Sequence, residues 1–286
     1  MNDLAQHDTA LRAMTDDGGF RVITVCTTES VRGVLKAQGV TGDEARLLAD
    51  LVTGTVLLRE TMAPSLRVQG IVQTVAATLL ADVHPDGGNR GLVQRPRRTA
   101  TDLKLLEVPQ LTMTRSLPNG GQQKGTVLVP AEGGINAALM AYMRQSEQVI
   151  GVTAVGTVFD GDEVVSAGGY HVQLTPELTE DMLAIMTLRL DDFAPIETLL
   201  RTEDGTPRRL LEELLYRMPY TLLADSPLSY QCRCDAARLL GSLASLPQSE
   251  IESLIDEGQT LEITCDYCKT EYRITVDQLR GILAPS

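Results

Sequence analysis

The chain has 286 residues, 43% of them hydrophobic, and a formal net charge of −13 at pH 7. That length and apolar content give room for a sizeable core and more than one domain, and they exclude wholesale disorder. The acidic balance argues against nucleic acid as a partner, because phosphate binding needs clustered Lys and Arg.

In chain order, residues 1–19 read as a flexible tail ending in Asp16-Asp17-Gly18-Gly19. Residues 1–18 contain no apolar run able to serve as a signal-peptide core, and nothing in the chain approaches the roughly 20 apolar residues of a membrane span. The expected address is therefore cytoplasmic, with no membrane partner. Phe20–Cys26 is β-rich and predicts a strand. Thr41-Gly-Asp-Glu44 has capping-box spacing and opens a helix carrying Leu47, Leu48, Leu51, Val52, Val56 and Leu58. Ser65–Gln73 alternates as a strand. Two hairpins follow, one turning at Pro85–Asn89 and one at Asn119-Gly-Gly121. The polar residues 95–108 between them predict a loop, and the basic cluster Arg90, Arg95, Arg97 and Arg98 reads as solvated. Beyond Gly133-Gly134 come a helix through Gln148, a strand at 149–159, a turn at Asp160-Gly-Asp162 and a strand at Val164–Leu174. Residues 20–176 thus read as an α+β domain, a core of mixed sheet and helix.

Residues 177–229 differ in character, with 11 acidic and 5 basic side chains and leucine-rich pieces interrupted by prolines. They predict a helical linker that folds against a neighbour without making a core alone. Residues 230–286 form a small module. Asp235 stands at a helix N-cap position and Ser249-Glu-Ile-Glu252 has capping-box spacing. Gly258 is a helix stop, and 261–265 with 271–275 predict a hairpin.

That module carries Cys232-Arg-Cys234 and, thirty residues on, Cys265-Asp-Tyr-Cys268. Four thiolates in two tight pairs are what a tetrahedral Zn²⁺ requires, and a module this small needs a metal to hold it. The same pairs could close two short-range disulfides, the one across a single residue being strained and labile. The site is therefore a zinc clamp or a redox switch. The fifth cysteine, Cys26, reads as a small buried hydrophobe. His7, His84 and His171 have no metal-ligand spacing. Ser146-Glu147-Gln148 lies at a helix-to-strand junction without a His or Asp partner, and Gly168-Gly169 lies inside a strand rather than in a phosphate loop. No catalytic or cofactor-binding residue is assigned, and an enzyme is not expected.

The run Tyr230-Gln-Cys-Arg-Cys-Asp-Ala-Ala-Arg238, with Glu262-Ile-Thr-Cys-Asp-Tyr-Cys268 and Tyr272, resembles the zinc domain of the heat shock protein 33 family, bacterial redox-regulated holdase chaperones. Leu66-Arg-Val-Gln-Gly70, Gln145-Ser-Glu-Gln148 and Ala167-Gly-Gly-Tyr-His-Val-Gln173 extend the match in the same order. The resemblance implies that Cys232, Cys234, Cys265 and Cys268 bind one zinc in a reduced, inactive state. Oxidation then forms Cys232–Cys234 and Cys265–Cys268 disulfides, zinc leaves and the module unfolds. The linker loses its support, and apolar surface opens to unfolded client proteins without ATP. It also implies a homodimer when oxidised. Asp235 and Lys269-Thr-Glu-Tyr272 depart from the family's usual residues but leave the ligands intact. The competing reading is a constitutive zinc ribbon serving as a protein-interaction scaffold.

Overall fold

The computed structural model describes residues 7–96, 107–117, 119–202 and 205–283. The chain divides into two units, Met1–Gln231 and Cys232–Ser286. In the first unit, strands β1 (Thr9–Thr15) and β2 (Phe20–Cys26) precede helices α1 (Thr28–Gln38) and α2 (Gly42–Thr61). Strands β3 (Arg67–Gln73), β4 (Thr78–Val83), β5 (Gly88–Gln94), β6 (Gln110–Ser116) and β7 (Gln122–Leu128) follow. Helix α3 (Gly134–Tyr142) ends in a π-turn at Met143–Glu147 and leads to β8 (Gly151–Asp160) and β9 (Glu163–Leu174). Helices α4 (Glu180–Asp191), α5 (Ile196–Leu200) and α6 (Pro207–Leu214) then lead to β10 (Tyr220–Pro227) and β11 (Ser229–Tyr230). One sheet has the order β10-β1-β2-β9-β8 and the other β11-β5-β4-β3-β6-β7, antiparallel except where β11 joins β5.

Helix α2 lies between the two sheets, packing on β2, β8 and β9 of one and on β3, β4 and β5 of the other. A helix placed so must be apolar all round, and Leu48, Leu51, Val52, Val56 and Leu57 are buried on its several faces. Gly70 on β3 makes the approach possible, since a Cβ there would stand 2.3 Å from Thr55 Oγ1 of α2. The Gly168-Gly169 pair has the same kind of cause. A Cβ on Gly169 would meet the Ala154 carbonyl of β8 at 2.4 Å, so the strands pair closely there.

Several elements differ from expectation. The flexible tail assigned to residues 1–19 includes β1, paired on both sides, because β2 offers it a full antiparallel register. Thr41 flanks α2 without a side-chain capping bond, so the Thr41–Glu44 box is not made. Helix α1 carries no local start signal. Its own flanking Thr27 forms no cap bond, and the cap comes from twenty residues away. The Asp8 carboxylate accepts from the backbone N–H of Glu29 at 3.0 Å and of Ser30 at 2.6 Å. Burial pushes the Asp8 carboxyl upward against these bonds. Asp8→Ala should therefore lower the stability of the first unit by about 1 kcal/mol, read as a lower urea midpoint. Arg90, expected in solvent, bonds Asp82 at 2.9 Å beside Arg67, and Arg95 pairs with Glu44. Arg97, Arg98 and most of the 95–108 loop lie outside the described residues.

His171 is buried on β9, its Nδ1 2.8 Å from Thr153 Oγ1, and burial pushes its pKa down to about 4. The unfolded chain binds this proton below its ordinary pKa of about 6.5, whereas the folded chain binds it only near 4, so stability falls as pH drops across that window. The loss amounts to about 3 kcal/mol. Denaturant titrations from pH 7 to 4 should show a slope shallower by one proton in His171→Gln.

The 177–229 segment is helical only in part. Its helices pack their leucines against the outer face of the β10-β1-β2-β9-β8 sheet, where Met186, Ile196, Leu200, Leu210, Leu211 and Leu214 are buried against Phe20, Val22 and Val172. Thr206 caps α6 by accepting from the Arg209 N–H, and Pro207 occupies its first turn. The Thr24 hydroxyl donates to the Pro207 carbonyl at 2.7 Å, and Arg189 donates to the carbonyls of Leu214 and Tyr216. The segment then turns extended as β10, since β1 leaves an edge to be paired. The first unit runs on through β11 to Gln231, one residue past the expected start of the C-terminal module.

Candidate metal centre

The second unit consists of α7 (Ala236–Leu243), α8 (Gln248–Asp256), the hairpin β12 (Leu261–Thr264) and β13 (Glu271–Ile274), and α9 (Val276–Leu283). Asp235 caps α7, accepting from the Arg238 N–H at 2.8 Å. Pro247, not Ser249, stands at the start of α8, and Gly258 ends that helix at a φ of 69°. Thr275 and Gln278 exchange bonds at the start of α9. Among the described residues of this unit only Ile251, Ile274 and Leu279 are fully buried apolar side chains. Three such side chains cannot offset the ordering of some fifty residues, so the unit needs another source of stability.

The four cysteines supply the place for one. Cys232 and Cys234 precede the capped start of α7, and Cys265 and Cys268 form the corner between β12 and β13. The corner is closed by the Lys269 N–H donating to the Cys265 carbonyl and the Cys265 N–H to the Thr270 carbonyl, both at 2.9 Å. Lys269 completes it in the left-handed region at a φ of 58°. Sulfur separations are 3.4 Å for Cys232–Cys234, 3.7 Å for Cys232–Cys265 and 3.3 Å for Cys234–Cys268, and all four sulfurs lie within 4.8 Å of one another. A tetrahedron with metal–sulfur bonds near 2.3 Å has edges of about 3.8 Å, so this donor set fits one four-coordinate ion.

Two hydroxyls touch the cluster. Tyr272 Oη on β13 donates to Cys234 Sγ at 3.1 Å, and Thr270 Oγ1 lies 3.2 Å from Cys268 Sγ. Without a metal, Cys234 and Cys268 are shifted in opposite directions. Burial pushes Cys234 up to about 12, although Tyr272 works the other way. Burial also opposes ionisation of Cys268, but the hydroxyl and backbone bonds of Thr270 overcome it and bring that thiol to about 6. A positive ion on the cluster would favour the thiolate form of the sulfurs that hold it.

The other residues singled out in the sequence lie elsewhere, in the first unit. Cys26 is buried, and burial raises its pKa, so it lacks thiolate character. Glu147 of the Gln145–Gln148 run binds Arg115 at 2.6 Å and accepts from Tyr142 at 2.7 Å, tying the π-turn to the β6–β7 hairpin. Thr270 has no sequence signal of its own, and Tyr272 enters only as part of the family resemblance, with no role attached. A Thr and a Tyr two and four residues after Cys268 become visible as sulfur neighbours only once the hairpin register is known.

A family model described as Hsp33 protein matches residues 8–275. The chain belongs to the Hsp33 family. Its relatives include the 33 kDa chaperonin of Syntrophotalea carbinolica, 28% identical, with 97% of this chain and 99% of the relative aligned. The 33 kDa chaperonin of Streptococcus pyogenes serotype M49 is 26% identical over the same shares of the two chains. In fold the chain is similar to the crystal structure of the Thermotoga maritima 33 kDa chaperonin, with a TM-score of 0.81, 20% identity, and 97% and 98% of the two chains covered. Two sheets, a layer of connecting helices and a cysteine-bearing C-terminal unit are thus arranged in an Hsp33 fold.

Proposed function

We propose that this Hsp33 protein is a redox-regulated, ATP-independent holdase, held inactive by one zinc ion on Cys232, Cys234, Cys265 and Cys268. The observation that carries the reading is the mutual proximity of the four sulfurs in a unit with almost no core of its own. When bound, the ion keeps the four sulfurs as thiolates and joins the start of α7 to the β12–β13 corner. Oxidation of the sulfurs to Cys232–Cys234 and Cys265–Cys268 disulfides removes the ligands, and the second unit loses its fold. The connecting layer of α4 to α6 then detaches. What it uncovers is the apolar outer face of the first sheet, formed by Leu11, Phe20, Val22 and Val172. That face has the apolar chemistry to hold apolar segments of unfolded proteins.

Zinc release followed with a chromogenic chelator, while reduced protein is treated with hydrogen peroxide under mild heating, tests the reading. Stoichiometric release accompanied by suppression of client aggregation is the expected result. Zinc retained with unchanged helicity overturns the switch in favour of a constitutive scaffold. Cytoplasmic residence and dimerisation of the oxidised form belong to the same proposal, the latter read as a doubling of mass on sizing with light scattering.

A further inference from the structure

The cluster is served by hydroxyls in a regular way. One member of each cysteine pair has one: Cys234 of the first pair has Tyr272 Oη at 3.1 Å, and Cys268 of the second has Thr270 Oγ1 at 3.2 Å. Both hydroxyls come from the same side of the module, the chain that leaves the Cys265–Cys268 corner and enters β13. Their partners sit on different segments, one before α7 and one at the corner itself. Tyr272 is held there by the hairpin register, which places it opposite Ile263. Thr270 is held by its own backbone, whose carbonyl accepts from the Cys265 N–H. Both hydroxyl oxygens already stand at hydrogen-bond distance from their sulfurs.

We propose that the Tyr272 and Thr270 hydroxyls are positioning residues that set the oxidation threshold of the switch, each donating a hydrogen bond to one thiolate of each pair. The inference rests on the redox reading above. In the thiol form the Cys268 S–H donates to Thr270 Oγ1. A metal-bound cysteine has lost that proton, so the contact can then be made only with Thr270 as donor, as Tyr272 already is toward Cys234. A hydrogen bond to a charged sulfur draws electron density from it and stabilises the resting state.

Oxidation consumes that density. The thiolate attacks one oxygen of hydrogen peroxide, the O–O bond breaks, hydroxide leaves and a sulfenic acid forms. The second thiolate of the pair then attacks the sulfenic sulfur and displaces a second hydroxide, closing the disulfide. Each pair gives up two electrons and reduces one peroxide to two hydroxides. In the first of these steps negative charge moves from sulfur to oxygen, so a hydroxyl aimed at the sulfur stabilises the thiolate more than the transition state. Nucleophilicity of thiolates varies with charge density by only part of the full interaction, so losing one donor should accelerate oxidation by about threefold to tenfold rather than abolish control.

The test uses the full reduced chain as Tyr272→Phe, which keeps the ring, and Thr270→Val, which keeps the shape. The rate of zinc release at fixed peroxide is measured beside the visible spectrum of the cobalt-substituted proteins, whose sulfur-to-metal charge-transfer bands move to longer wavelength when a thiolate loses a hydrogen-bond donor. The expected result is about threefold to tenfold faster release with a red-shifted band in each variant, and both values restored in Thr270→Ser. Faster release with unmoved cobalt bands, or with no return in Thr270→Ser, overturns the inference in favour of general loosening. Bands and rates equal to wild type overturn it outright. Should the wild type keep its zinc under peroxide, the redox reading itself fails, and the cobalt bands still decide whether the hydroxyls act on the sulfurs.

Discussion

Chelating the proposed zinc from the reduced protein, or replacing Cys234 by Ser, should unfold residues 232–283 and leave the first unit standing. The second unit has Ile251, Ile274 and Leu279 as its fully buried apolar side chains among the described residues, and α7 contributes none. Burial of three such side chains contributes only about 5–9 kcal/mol, far less than the backbone entropy of the residues it orders. A structural zinc site supplies about 10–16 kcal/mol and makes the difference between a folded and an unfolded module. The first unit has no such dependence, since its two sheets and α2 enclose a continuous core. Chelation should therefore remove the helical signal of α7, α8 and α9, and limited proteolysis should yield a resistant fragment ending close to Gln231. Protection of the 232–283 region after chelation would contradict this account of the module.

Leu211→Ala and Leu214→Ala are the substitutions expected to act most strongly outside the cysteines. Both side chains are 0% exposed in the layer between α6 and the first sheet. Truncating a buried leucine costs about 2–5 kcal/mol, through lost transfer free energy and the cavity left behind. The cost falls on a layer of short helices that make no core by themselves, α5 having five residues and α6 eight. Most of it should therefore appear as detachment of the layer rather than global unfolding. Hydrogen exchange should rise across residues 180–218 while α2 stays protected. If the outer sheet face is the client surface, these variants should also suppress aggregation while reduced and still holding zinc. Detachment without holdase activity would place the client surface elsewhere.

Much of this protein is legible along the chain because it is written in local chemistry. The β4–β5 and β6–β7 hairpins show as apolar arms around Gly- and Asn-containing turns, and those turns occur where the strands reverse. The four cysteines are legible for the same reason, since Cys-x-Cys and Cys-x-x-Cys spacing fixes each pair within one corner. Acidic composition likewise needs no fold to be read.

Tertiary structure decided what depends on a partner distant in sequence. Residues 9–15 look like tail until β2 and β10 flank them, and 220–227 look like linker until β1 offers an edge. Helix α1 draws its cap from Asp8 rather than from Thr27 beside it, so no local signal marks its start. Arg90 looks solvated until Asp82 faces it from the neighbouring strand. The same holds at the metal centre. Sequence supplies the four sulfurs, but only the folded hairpin brings Tyr272 to Cys234 across a sequence separation of 38. Ligand identity is a property of residue type and spacing, whereas the control of a ligand's reactivity depends on which side chain the fold lays against it.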